Sequence, residues 1–293
     1  MRNRFGSKFQ LFVAVVAASL MGGSSALALE LYAADYDGAA TLFHMDQAAG
    51  TASPIGAIGD DKIGDLTSDT RPGTGTLWGV RIAKGEDLDE LVTIDPATGA
   101  AVGSVAININ TGGAFQGSPG HMASIAFDPV SGKLYGSTAE VYGAPFDALY
   151  LIDALSGAAS FVGRITFSNV LALGFSQTGV LYGVAYSGAQ LIHIDLSSGN
   201  GSLIAAMQVT SAFDIASRPD DDVMFLVDSG SGTDSLYTLD VTNGALTGVG
   251  GYGGTSPNLA GLAFAPIPEP GTFVLVVSGL VALAERRRSS ARA

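Results

Sequence analysis

The sequence predicts an all-β protein folded as a β-propeller, and three observations carry that prediction. A strand-like string ending in Asp-x-x-x-Gly recurs five times along the chain. A second string of the form Leu-Tyr-Gly-Val lies upstream of most of these copies. The two ends of the repeat region hold complementary parts of one unit.

The first string reads LFHMDQAAG (42–50), LVTIDPATG (91–99), LYLIDALSG (149–157), LIHIDLSSG (191–199) and LYTLDVTNG (236–244). Its aspartates, Asp46, Asp95, Asp153, Asp195 and Asp240, stand 49, 58, 42 and 45 residues apart. Four places after each comes a glycine: Gly50, Gly99, Gly157, Gly199 and Gly244. In such a turn the carboxylate accepts from turn amides, and the glycine takes the left-handed conformation that closes a bulged hairpin. The ten residues are therefore expected to be structural.

The second string reads TLWGV (76–80), KLYGS (133–137), VLYGV (180–184) and VMFLV (223–227). Upstream of three of these come IAFDPVSG (125–132), LGFSQTG (173–179) and FDIASRPDD (213–221). Each unit thus reads as an inner strand, then LYGV, then LYxID, then a final strand such as ASFVG. Short strands punctuated by Gly, Asp and Pro indicate β structure. A period near 45 with four strands per unit is that of a propeller blade, which buries its faces only by stacking on neighbours.

ELYAADYDG (30–38) matches an LYGV strand with no inner strand before it, and NLAGLAFAP (258–266) is an inner strand with nothing after it. Joined, they complete one blade and lock the ring between its first and last strands, hiding the sheet edges. The prediction is five blades. A six-bladed ring is the alternative count, because 101–122 is long and irregular, and an open β-sandwich is the alternative architecture.

Composition agrees with short strands and tight turns: 40 glycines, 47% hydrophobic residues and 14% charged residues. Without cysteine the chain has neither disulfides nor a thiolate metal site. Between Leu29 and Pro268 there are 25 acidic and 7 basic side chains, a net charge of −18 with histidine neutral. Such a surface repels nucleic acid, which excludes DNA and RNA as partners, and attracts divalent cations.

Both termini read as address labels. Arg2, Arg4 and Lys8 precede an apolar run from Leu11 to Met21, and Ala26-Leu27-Ala28 presents the small residues that signal peptidase needs, at Ala26 and Ala28. A helical signal peptide over 1–28 is expected, with Leu29 as the mature N-terminus. A propeller domain over 29–266 then precedes a tail over 267–293. In that tail Pro268-Glu269-Pro270 is followed by an apolar helix at about 272–284 and by Arg286, Arg287 and Arg288. In an exported protein the arginines hold the tail's end in the cytoplasm, so the apolar segment sits transiently in the inner membrane.

This three-part tail resembles the PEP-CTERM sorting signal over about the last 26 residues. The resemblance implies a Gram-negative bacterium that makes exopolysaccharide and an exosortase that recognises Pro268, Glu269 and Pro270. Arg286 to Arg288 become the retention signal. Gly271 departs from the serine or threonine more usual in that family, and a permanent membrane anchor is the alternative reading of the tail. The body, 30–266, resembles a family of secreted propeller-like bacterial proteins of unknown function, which implies a fold and no activity.

Candidate sites inside the body are few. His44 and His193 share a repeat position that is Thr93, Leu151 or Thr238 in other blades, as expected of a strand filler. His121 has no partner evident in the sequence. No cofactor is expected. Calcium, which takes six to eight oxygens, is the cation that Asp60-Asp61 with Asp65 and Asp69, Asp35 with Asp37, or Asp220-Asp221-Asp222 would attract. None of these sets has EF-hand spacing. No G-x-S-x-G or H-E-x-x-H occurs, and SGSG (229–232) lacks the lysine of a phosphate loop. Tyr32, Trp78, Tyr135 and Tyr182 recur at one strand position and read as blade core before sugar platform.

The function these observations predict is that of an exported cell-surface or matrix protein, a non-catalytic binding or structural module. Polysaccharide or other surface proteins would be its partners. A metal-dependent propeller hydrolase or lactonase, with carboxylates converging at a channel mouth, is the alternative.

Overall fold

The computed structural model describes residues 29–266 apart from 37–38, 60, 72–73, 84–87, 111–120, 141–142, 145, 187–188, 210, 230–233 and 254–257. In chain order, β1 (Leu29–Asp35), β2 (Thr41–Met45) and β3 (Ala52–Ala57) begin the first sheet. The second is β4 (Ile63–Ser68), β5 (Leu77–Arg81), β6 (Glu90–Ile94) and β7 (Ala101–Ala106). The third holds β8 (Asn108–Asn110), β9 (Met122–Phe127), β10 (Leu134–Thr138), β11 (Ala148–Ile152) and β12 (Ala158–Arg164). The fourth is β13 (Val170–Phe175), β14 (Leu181–Ala185), β15 (Gln190–Ile194) and β16 (Gly201–Ala206). The fifth is β17 (Ala212–Ser217), β18 (Met224–Asp228), β19 (Ser235–Asp240) and β20 (Ala245–Gly251), and β21 (Leu259–Pro266) returns to the first.

The result is a five-bladed β-propeller. Each blade is an antiparallel meander, and the inner strands β21, β4, β9, β13 and β17 pack on one another in a closed cycle. The first blade is completed as its two fragments require: β1 pairs antiparallel with β21, Tyr32 opposite Ala263 and Leu31 opposite Phe264. The irregular stretch makes no sixth blade. Its described part continues β7 into β8, which adds to the outer edge of the third blade in parallel with β12, Ala158 opposite Asn108. The long interval between Asp95 and Asp153 thus includes an extra strand.

Packing within a blade explains why two strings recur together. The glycine of LYGV makes room for the isoleucine of LYxID in the same blade. A Cβ on Gly136 would lie 2.8 Å from Ile152 Cδ1, and one on Gly183 would lie 2.9 Å from Ile194 Cδ1. Between blades, the aromatic residue of LYGV meets the sixth residue of the next inner strand. Trp78 packs on Phe127 with centroids 6.4 Å apart, Tyr135 on Phe175 at 5.7 Å and Phe225 on Phe264 at 5.8 Å. Such tilted pairs add to the burial of their own surface. Tyr32 and Tyr135 are buried, and Trp78 and Tyr182 are half-buried among the partly covered residues of inter-blade clusters.

One inner strand departs from expectation. Ile63–Ser68, which holds Asp65 of the first candidate calcium set, is a fully buried strand with that acid at its centre. Of its six residues only Ile63 and Leu66 are hydrophobic, against five in MASIAF (122–127) and four in AFDIAS (212–217), so periodicity gives no warning.

Candidate functional site at the propeller axis

An inner strand has a neighbour on one side only, so its axis-facing amides have no ladder partner. Here these amides are met by side chains. The third residue of the inner strands is Asp65, Ser124, Ala172, Asp214 or Gly261, and the fourth is Leu66, Ile125, Leu173, Ile215 or Leu262. Where the third residue can accept, it takes the fourth amide of the next blade. Ile125 N donates to Asp65 Oδ2 at 2.6 Å, Leu173 N to Ser124 Oγ at 2.8 Å and Leu262 N to Asp214 Oδ2 at 2.5 Å. Where it cannot, at Ala172 and Gly261, the following acid serves its own strand as well. Leu66 N donates to Asp65 Oδ1 at 2.6 Å and Ile215 N to Asp214 Oδ1 at 2.7 Å. Ser124 Oγ also donates to Asp65 Oδ2 at 2.5 Å. Three side chains therefore satisfy five amides in one belt around the axis.

Asp65 and Asp214 are fully buried and hydrogen-bonded to each other across the first blade. Gly261 stands between their strands, and a Cβ there would lie 2.7 Å from Leu66 N and 2.8 Å from Leu66 Cγ. Burial pushes the Asp65 carboxyl up to about 7, against the downward pull of its hydrogen bonds. Burial, and then the charge of Asp65, raise Asp214 well above the usual carboxylate range. Two carboxylates in contact in a dry interior cannot both ionise.

Two further acids, Asp89 and Asp147, tie the second blade to the third and the third to the fourth at the strand beginnings. Asp89 accepts from Met122 N at 2.6 Å and Ala83 N at 2.9 Å. Asp147 accepts from Val170 N at 2.5 Å and Glu140 N at 2.8 Å, and burial raises its carboxyl to about 6. At the other end of the axis lies a cavity of about 50 Å³, bordered by Thr67, Ser68, Phe175, Gln177, Ser217 and Phe264. It has room for a few water molecules. Its polar rim is already paired: Ser68 Oγ donates to Phe264 O, and Gln177 Nε2 donates to Ser217 Oγ at 2.7 Å.

The repeated turn residues lie at the blade rims. Asp46 accepts from Ala48 N and Ala49 N, Asp95 from Ala97 N, Asp153 from Leu155 N and Ser156 N, and Asp240 from Thr242 N. Asp195 accepts from the amides and hydroxyls of Ser197 and Ser198, and these bonds lower it to about 2. The glycines have a second duty beyond positive φ: each turn abuts the outer strand of the preceding blade. A Cβ on Gly99 would sit 2.6 Å from Gly56 O, and one on Gly199 would sit 2.7 Å from the Gly163 carbonyl carbon. Gly50, Gly157 and Gly244 meet Gly250, Ala106 and Ala205 in the same way.

Among the described residues the three calcium sets do not converge. Asp69 is held by Arg71 at 2.6 Å, Asp65 belongs to the belt, and Asp60 and Asp37 lie outside the described residues. Asp35 accepts from Thr41 N. Asp221 binds Arg218 at 2.6 Å, and Asp222 accepts from Gln177 N. Among the described residues no group of three or more His, Asp or Glu side chains is placed to hold a metal ion. The histidines stay apart: His44 pairs with Glu30 at 2.9 Å, and His193 faces Tyr182 across a strand pair. His121, without an evident partner in sequence, bonds Asp89 at 2.8 Å. Ala26, Ala28, Pro268, Glu269, Pro270 and Arg286 to Arg288 lie outside the described residues.

Sequence reading missed the belt. The signal available was an acid or hydroxyl at the centre of an otherwise apolar strand, as in AFDIAS (212–217) and MASIAF (122–127). A buried acid in that position needs a partner, and only ring closure names it.

Fold and site define a class: a five-bladed propeller whose axis is closed by its own side chains. A chain in the crystal structure of a nidogen/laminin complex is similar to it, with 11% identity and a TM-score of 0.53 over 81% of this chain and 98% of that one. TolB from Acinetobacter baumannii aligns at 12% identity and TM-score 0.46, over 82% of this chain and 57% of that one. A protein of unknown function from Bacteroides caccae aligns at 8% and 0.44, over 75% and 71%. At these identities the likeness is one of fold. No protein-family model matches the chain, and comparison with curated proteins gives no match.

Proposed function

We propose that this protein is exported, freed of its leader after Ala28, and sorted through Pro268-Glu269-Pro270 to the cell surface or exopolysaccharide matrix. There the propeller acts as a non-catalytic binding or structural module, with polysaccharide or other surface proteins as partners. Signal peptidase and exosortase are its processing enzymes, and the inner membrane holds it only through the tail. The observation that carries the non-catalytic part is the belt. Both oxygens of Asp65 and both of Asp214 accept backbone amides, so the axial acids are committed to holding blades together. A metal-dependent hydrolase or lactonase would need free carboxylate oxygens at that place. The export part rests on the order and spacing of the two terminal signals.

The test is expression of the full chain in a Gram-negative host with and without an exosortase, beside a variant with Pro268, Glu269 and Pro270 all changed to alanine. The expected result is a mature chain starting at Leu29, with the tail removed only when both exosortase and motif are present. A tail retained in every case, or removed regardless of the motif, overturns the sorting assignment.

A further inference from the structure

Asp65 and Asp214 are hydrogen-bonded to each other while their four oxygens each accept an amide hydrogen, and two ionised carboxylates have no donor, so that bond requires a proton on one of them. The surroundings offer no counter-charge. β9, β13 and β21 carry no ionisable side chain, and β4 and β17 carry none besides the pair. On the second strands packed against these, Arg81 is bound to Glu90, Glu30 to His44, and Asp228 to Ser211 N. Asp35 accepts from Thr41 N, and Tyr32, Tyr135 and Tyr182 sit in inter-blade clusters. We propose that a proton shared by Asp65 and Asp214 is the latch of the propeller, joining the second and fifth blades across the first, and that its loss at high pH loosens the ring along the axis.

Without that proton two buried carboxylates face each other, and the belt amides of Leu66, Ile125, Ile215 and Leu262 are held only at the expense of that repulsion. The sign follows from linkage. The folded pair keeps a proton that the unfolded chain releases above about 4, so its contribution to stability is greatest in acid. That contribution falls as pH rises until the folded pair itself lets go.

The test is unfolding of the propeller in the full chain as a function of pH, for the native protein and for Asp214→Asn, whose amide can donate to Asp65 permanently. Between pH about 4 and pH about 7 the unfolding constant of the native protein should rise about tenfold per pH unit relative to the variant. Parallel curves overturn the proposal. Should the variant not fold, the native protein decides alone, by the infrared band of a protonated carboxyl at neutral pH and by hydrogen exchange at the four belt amides. A band that disappears on alkalinisation together with the amide protection supports the latch. Absence of the band, or protection that outlasts it, overturns it.

Discussion

At the axis and at the rim the propeller uses the same bond, an aspartate accepting backbone amides, and the two places give it opposite electrostatics. Asp195 at the rim accepts four hydrogen bonds in open solvent and is pulled down to about 2. Asp65 at the axis accepts three and is raised to about 7. Hydrogen bonds favour the charged form in both, and desolvation reverses the outcome only where water is excluded. The rim acids shape turns inside one blade, whereas the axial acids join one blade to another.

The sharpest way to break the comparison is Asp65→Ala. It leaves Leu66 N, Ile125 N and Ser124 Oγ without their acceptor in a dry interior, and should cost about 3–5 kcal/mol in urea unfolding. A loss no larger than that of a rim turn would show that water or a backbone shift replaces the carboxyl. Next comes Gly199→Ala, where φ is +75° and the new Cβ would press on Gly163 of the preceding blade. The expected cost, by the same measurement, is about 1–3 kcal/mol, from strain together with overpacking. A neutral result would mean that the fourth blade's turn can back away from the third. The smallest effect belongs to Asp195→Asn. Its folded pKa lies below the unfolded one, so its contribution is present above about 4 and disappears as pH falls through about 2. The variant should therefore melt slightly below the native protein at neutral pH and coincide with it in strong acid. Its pH trend runs opposite to that of the axial pair.

Legibility followed locality. The Asp-x-x-x-Gly turns were plain in the sequence because each is complete within five residues and recurs in every blade. Closure by β1 and β21 was legible too, since the two fragments are complementary parts of a unit seen whole elsewhere. Asp65 was misplaced for the opposite reason. Its partners Ile125, Ser124 and Asp214 lie on other blades, and its own strand lacks the apolar pattern of its counterparts. The extra strand β8 was invisible as such, because a three-residue strand has no periodicity and takes its meaning from the edge of β12.

The sequence by itself determined the blade unit, the turn chemistry and the position of the seam, all of which reside in short contiguous strings or in their repetition. Only the tertiary structure decided what lies on the axis. Five strands from distant parts of the chain bring unpaired amides to one line, and the residues able to satisfy them are defined by that meeting. Burial then reverses the acidity that Asp65 and Asp214 would have alone, because a carboxyl cut off from water keeps its proton where an exposed one gives it up.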